Sequence, residues 1–264
     1  MELDLVGRRA VVLASSDGIG KAIASALARE GTHVAISGRD EMKLESARAE
    51  VAAAAHAGTQ VIARATDVTK AADIASLVDA AASAFGGIDI LVTNCGGPKA
   101  GPLLSFDDET WGEMFDLTLR SVARACRAAL PHLQASDQGR IICIASSSVA
   151  AAIPTLGFSN VFRPGIHGLV KTLAAELGPE GITVNLIAPG KIDTARVRSL
   201  DENRGKAAGT SGEELRRTME TEIPLRRYGR PDELAELATF LCSRAGGYVS
   251  GTAQLVDGGF VNAL

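Results

Sequence analysis

Short apolar runs rich in β-branched residues alternate with longer alanine-rich stretches of helical period, and this rhythm limits the architectures open to the chain. Strand candidates lie at 9–14, 33–37, 60–65, 89–93, 140–145, 183–187 and 253–256. Helical stretches fall between them near 18–30, 41–56, 70–85, 108–134, 157–177 and 232–243. Strands that are apolar throughout, instead of at every second residue, are buried on both faces. Helices on both sides of a parallel sheet satisfy that requirement. Right-handed crossovers then give an α/β, doubly wound fold with ligands at the carboxyl ends of the strands. No proline- or serine-rich linker divides the 264 residues, so one domain over 1–264 is expected. One segment, 195–223, breaks the rhythm with many Arg and Glu. A stretch that long reads as a lid or substrate loop, or else as two exposed helices without a role.

Charge and composition exclude several partners. A formal net charge of −4 offers no excess of basic residues for a phosphate backbone, so nucleic acid is not expected. No run reaches the roughly 18 uninterrupted apolar residues of a membrane span. The start, Met1-Glu2-Leu3-Asp4-Leu5, is acidic and lacks the basic and apolar regions of a signal peptide. Cys95, Cys126, Cys143 and Cys242 are widely spaced, without metal-ligand spacing. A cytoplasmic protein with reduced thiols and no metal centre is expected.

The first strand runs into Ala14-Ser15-Ser16-Asp17-Gly18-Ile19-Gly20 and then a helix. Glycines at such a turn let the backbone approach a pyrophosphate, and the helix N-terminus supplies N–H donors and positive potential. About 20 residues on, dinucleotide folds place the group that reads the adenosine ribose: an acid for a free 2′-hydroxyl, an Arg for a 2′-phosphate. Here Ser37-Gly38-Arg39 follows the second strand. The donor fork of Arg39 matches phosphate, which favours NADP(H) over NAD(H). A solvated Arg39 beside an Asp40 helix cap is the other reading.

These segments resemble the short-chain dehydrogenase/reductase family, and the resemblance covers nearly the whole chain. Residues 13–20, LASSDGIG, look like the family's TGxxxGxG turn, with Ala14 replacing the first Gly. The loop is expected to accept the extra methyl with a small shift. Asp67-Val68 resembles the segment whose acidic residue contacts adenine, and Thr93-Asn94-Cys95-Gly96 looks like NNAG. Pro189, Gly190, Ile192 and Thr194 look like PGxxxT, and Val256-Asp257-Gly258-Gly259 resembles the C-terminal VDGG. The resemblance implies a Rossmann-like, seven-stranded parallel sheet, a nicotinamide cofactor, and a homodimer or homotetramer.

The same resemblance implies a reaction end built on Asn, Ser, Tyr and Lys. By register from Trp111 and from the helix after 168, those positions hold Thr118, Ser146, Ser159 and Arg163. A phenol near pKa ~10, lowered by a neighbouring ammonium, is an acid usable near neutral pH. Ser159 cannot ionise in that way, and being shorter it leaves room for water or a bulkier substrate. Arg163 can hold ribose hydroxyls but stays protonated throughout. Thr118 puts the family's water relay in doubt, while Ser146 can still donate to a developing oxyanion. Lys99, in the turn Gly96-Gly97-Pro98-Lys99, could supply a proton or bind an anionic group. His167, four residues after Arg163, could also act as an acid. Tyr228 and Tyr248 fall where the family places residues away from the nicotinamide.

The expected function is therefore an NADP(H)-dependent oxidoreductase acting on a small-molecule carbonyl/alcohol pair through a non-standard site. Similar sequences are called 3-oxoacyl-carrier-protein reductase-like. Two alternatives stay open: a cofactor-binding regulatory or structural protein without turnover, and an isomerase or lyase on the same scaffold.

Overall fold

In a computed structural model, which describes residues 2–262, seven strands join in one parallel sheet. They are β1 (Arg9–Val12), β2 (His33–Gly38), β3 (Val61–Ala65), β4 (Ile90–Thr93), β5 (Arg140–Ile144), β6 (Thr183–Pro189) and β7 (Ala253–Val256). Their spatial order is β3-β2-β1-β4-β5-β6-β7. The order reverses between β1 and β4, and that reversal opens a crevice at the carboxyl edge of the sheet.

Helices α1 (Gly18–Arg29), α2 (Glu41–Ala54) and α3 (Ala71–Phe85) connect the first four strands. Farther along come α4 (Asp108–Phe115), α5 (Ser121–Gln134), α6 (Gly157–Leu177), α7 (Ala195–Ala207), α8 (Gly212–Glu222) and α9 (Pro231–Cys242). Successive strand residues point to opposite faces, so each strand serves two cores. Val11, Leu91 and Ile141 pack with Leu77 of α3, Leu133 of α5 and Val170 of α6. Val12, Val92 and Ile142 pack with Leu27 of α1, Val51 of α2 and Leu241 of α9. Every residue of β4, β5 and β6 is buried, including the polar Thr93, Arg140, Thr183 and Asn185.

Two regions differ from the pattern of the sequence. The stretch 108–134 is not one helix: five residues, Asp116–Arg120, form a π-turn between α4 and α5. Such a bulge widens the helix by one residue and is frequent at functional sites. The arrhythmic stretch 195–223 contains α7 and α8, closely packed on each other, with Asp201 and Gly205 buried. Among the described residues, no helix is long and apolar enough to cross a membrane.

At the opposite edge of the sheet, Asp89 is 1% exposed and takes hydrogen bonds from Arg9 Nε and Nη2, both 2.7 Å, and from Ser136 Oγ at 2.6 Å. Burial alone would raise this carboxyl. The bonds from Arg9 and Ser136 outweigh it and hold the group below the usual aspartate range. A depressed carboxylate stabilises the fold above its unfolded pKa of about 3.9, and that stability is lost as pH falls through the folded value. Chemical denaturation between about pH 5 and pH 2 should therefore show a steeper loss in the wild type than in Asp89→Asn. Parallel curves would overturn the assignment.

Candidate active site

The crevice begins at the turn after β1. Asp17 caps α1 by accepting from Gly18 N at 2.7 Å. Gly18 has φ +56, a conformation glycine adopts without steric cost. Gly20 is needed for space, because a Cβ there would lie 2.9 Å from Asn94 Nδ2 and against the Ala14 carbonyl. Ala14 does not shift out of the glycine conformation: its φ is +47. That left-handed geometry costs an L-residue about 1–2 kcal/mol. It is held by Ala14 N donating to Ser37 Oγ at 3.0 Å and by Asn94 Nδ2 donating to Ala14 O at 3.0 Å.

Ser15 and Ser37 are fully buried and brace the turn. Ser15 Oγ donates to Val12 O at 2.7 Å and accepts from Ser37 N at 2.9 Å. Their hydroxyls are thus spent on the protein. Ser16, Ile19 and Gly38 line the crevice directly, with exposed Arg39 at its mouth. Asp67 and Val68 line the same side. Burial would raise the Asp67 carboxyl, but Thr69 N and Oγ1, at 3.0 and 2.8 Å, together with nearby Arg39, bring it below the usual range. Cys95, Gly96 and Thr194 complete a crevice of about 400 Å³. Arg196, on the first turn of α7, lies over Gly97 where a Cβ would collide with its guanidinium.

Pro189 is buried at the end of β6, and Gly190 N donates to Val256 O at 3.0 Å. Ile192 is buried and bridges to Gly229. These contacts fix the strand end from which Thr194 reaches the crevice, its Cγ2 3.3 Å from where a Gly18 Cβ would stand.

The reaction end lies around the head of α6. Ser146 follows β5 and caps the short 3-10 turn Ser147–Val149, its Oγ accepting from Ser148 N at 3.2 Å. Accepting leaves its O–H free to donate. Ser159 is 4% exposed, and its Oγ lies 3.0 Å from Ser148 Oγ. Arg163 is 6% exposed; Nη1 donates to Ile144 O at 2.9 Å and Nη2 to Cys95 Sγ at 3.5 Å. Its Nε is buried and has no partner among the described residues. Pro164 follows directly, so the Asn160 carbonyl lacks its usual helical donor at this turn. Thr118 sits in the π-turn, fully buried, with Oγ1 unpartnered among the described residues.

Other expected contributors sit elsewhere. Lys99 is half exposed, and its Nζ lies 3.0 Å from Glu113 Oε2. His167 is half-buried on α6. Tyr228 does not hang free in a C-terminal segment: its Oη donates to buried Asp201 Oδ2 at 2.9 Å. Lys191 belongs to this group too, 3.7 Å from Asp201 Oδ1. Sequence reading passed over Lys191, although a lysine directly after a strand-ending Pro-Gly in a doubly wound fold is itself a signal. Asp201 carried no such signal, because its burial depends on how α7 packs.

The family model described as enoyl-(acyl carrier protein) reductase matches residues 13–261. The chain is 36% identical over 263 residues to dehydrogenase/reductase SDR family member 4 of Homo sapiens, covering 98% of this chain and 90% of the relative. It is 36% identical over 258 residues to D-beta-hydroxybutyrate dehydrogenase of Cupriavidus necator, covering 97% and 99%. The crystal structure of L-sorbose reductase from Gluconobacter frateurii, complexed with NADPH and L-sorbose, superposes with a TM-score of 0.94 at 32% identity over 100% of both chains.

Proposed function

The chain belongs to the short-chain dehydrogenase/reductase family, and on that premise we propose that it is an NADP(H)-dependent oxidoreductase acting on a carbonyl/alcohol pair through a remodelled site. The observation that carries this reading is the glycine crevice. Gly18 lines the crevice, Gly20 lets the helix start pack tightly against the Ala14 carbonyl and Asn94, and Arg39 stands at the mouth. The NADPH held by the L-sorbose reductase structure supports it. The cofactor, when bound, supplies hydride.

The chain's own residues do the rest. The backbone of 14–20 cradles the diphosphate at the start of α1. Arg39 takes the 2′-phosphate, while Asp67 and Val68 flank the adenine. Asn94, Cys95, Gly96, Gly190, Ile192 and Thr194 form the nicotinamide half. Arg163, anchored by the Ile144 carbonyl and with its Nε still unpaired among the described residues, would hold the ribose hydroxyls. Ser146 donates to the oxygen of the substrate. Residues 1–264 act as one unit, α7 and α8 roof the substrate side, and the protein assembles as a homodimer or homotetramer.

A titration with NADPH and NADH tests the cofactor assignment. Arg39→Ala should weaken NADPH about 10–150-fold, the equivalent of one charge-assisted hydrogen bond of roughly 1.5–3 kcal/mol, and leave NADH nearly unchanged. Equal affinities in the wild type would sink the NADP(H) assignment.

One observation favours a second reading, a nucleotide-binding protein without turnover. Ser159 lies buried in a hydrogen bond with Ser148, and an aliphatic hydroxyl is far too weak an acid to replace the family's Tyr. Turnover on a panel of ketones and aldehydes with NADPH separates the two.

A further inference from the structure

The crevice is lined by one cation that neither the fold nor the cofactor assignment uses. We propose that Arg196 binds a carboxylate on the substrate, so that the carbonyl compound turned over is an oxo acid. This inference rests on the oxidoreductase reading above and names its substrate class.

Contacts place the head group. Arg196 lines the crevice together with Cys95, Gly96 and Gly97 of the loop after β4. Gly97 does not have a positive φ, so its backbone makes no demand for glycine. Space makes that demand: a Cβ on Gly97 would stand 2.6 Å from Arg196 Nε and 2.7 Å from Cζ. At the other end of the same short loop, Cys95 Sγ accepts from Arg163 Nη2 at 3.5 Å. Arg163 projects from the head of α6, the turn that carries Ser159. The loop 95–97 thus has a guanidinium at each end, and Arg196 belongs to the reaction end of the crevice, away from Arg39 and Asp67.

The charge on Arg196 is uncompensated. Arg198, two residues on, pairs with Asp193 at 2.8 Å, whereas Arg196 makes no ion pair or hydrogen bond among the described residues. Desolvation against the loop disfavours its charge, the Cys95 thiol favours it, and Arg163 disfavours it. The carboxylates that line the crevice are committed elsewhere: Asp17 caps α1, and Asp67 is held by Thr69 with Arg39 nearby. Arg196 is also the second residue of α7, whose first turn holds no acid. A helix start carries positive potential of its own, so backbone and side chain together favour an anion there.

The kind of anion follows from the donors left over. In the cofactor assignment Arg39 meets the 2′-phosphate, the start of α1 meets the diphosphate, and Arg163 meets the ribose. One planar fork remains, on an exposed side chain open to a ligand. A single guanidinium fork matches a carboxylate through two parallel N–H bonds.

The test uses the full chain with NADPH and straight-chain oxo acids that differ in the spacing of carbonyl and carboxylate. Each acid is compared with its methyl ester. In the wild type the best acid should exceed its ester in kcat/KM. Arg196→Met should lower that acid-to-ester ratio about 10–150-fold, the worth of a hydrogen bond to a charged group. Arg196→Lys should restore part of the ratio, since it keeps the charge and loses the fork. Gly97→Ala removes no charge, yet it should lower the ratio by pushing the guanidinium off the loop. Calorimetry of the acid added to the NADP⁺-loaded protein should give the same ranking without turnover. An acid and ester handled alike by the wild type, or a ratio that Arg196→Met does not move, overturns the carboxylate assignment and leaves the oxidoreductase reading standing. So does an Arg196→Met protein whose NADPH affinity falls as far as its acid affinity, because the fork then serves the cofactor diphosphate. Acid binding that depends on Arg196, without turnover of any carbonyl, upholds the anion site and sinks the oxidoreductase reading.

Discussion

Ser146→Ala should lower kcat about 10²–10³-fold at saturating NADPH, while Ser159→Ala changes it only a few-fold. Oxyanion donors removed from other enzymes carry about 2.7–4 kcal/mol of this kind, because a preorganised dipole acts on charge that exists only in the transition state. Ser146 has the necessary freedom. Its oxygen accepts from Ser148 N as the cap of a short turn, which fixes the side chain and leaves the proton to give. Ser159 has no such freedom, with its hydroxyl buried against Ser148 Oγ at 3.0 Å. Removing it forfeits one neutral hydrogen bond, about 1 kcal/mol of stability, and nothing aimed at the substrate. Steady-state kinetics on one good carbonyl substrate decide the matter. A Ser146→Ala enzyme within threefold of wild type, or a dead Ser159→Ala enzyme, would reverse the roles assigned to the two hydroxyls.

Phe158→Ala should give the largest loss of stability, about 3–5 kcal/mol. For a chain of this size that corresponds to a fall in Tm of roughly 6–20 °C. Phe158 is 0% exposed and sits among three aromatic rings, with centroids 4.8 Å from Phe106, 5.0 Å from Trp111 and 5.9 Å from Phe162. The cluster fastens α4 to the head of α6, the turn that carries Ser159 and Arg163. Aromatic packing there compensates for the helical hydrogen bond that Pro164 removes. Leu104→Ala is the matched control: at 94% exposure it should change stability by no more than about 0.5 kcal/mol. Thermal denaturation of the two variants compares them, and equal midpoints would mean the cluster does not anchor α6.

The strands and most helices were legible because burial leaves a periodic imprint on sequence. Fully buried β4, β5 and β6 read as mostly apolar runs, interrupted inside by Asn185 of β6, and Val51 or Leu241 recur at helical spacing. Gly18 was legible for a local reason, since a positive φ beside a helix start calls for glycine. The π-turn at Asp116–Arg120 was not, because it preserves the apolar spacing on both sides and inserts only one extra residue per turn. Segment 195–223 lacked an apolar stripe, so its helices α7 and α8 owe their place to packing on each other.

For the site, the chain alone determined which chemical groups are present: a glycine turn, Arg39 where a ribose is read, a hydroxyl at 146, and no phenol at 159. It also determined the strand ends from which those groups project, since each follows directly from a run of buried residues. Tertiary structure decided which groups remain free to act. The hydroxyls of Ser15 and Ser37 are consumed by the backbone of β1, the glycine turn and β2, Ser159 pairs with Ser148, and Lys99 with Glu113. Lys191, Asp201 and Tyr228, distant in sequence, close into one buried network under α7. The physical reason is that hydrogen-bond pairing and burial depend on distances across the fold. Those distances leave no periodic trace in the chain.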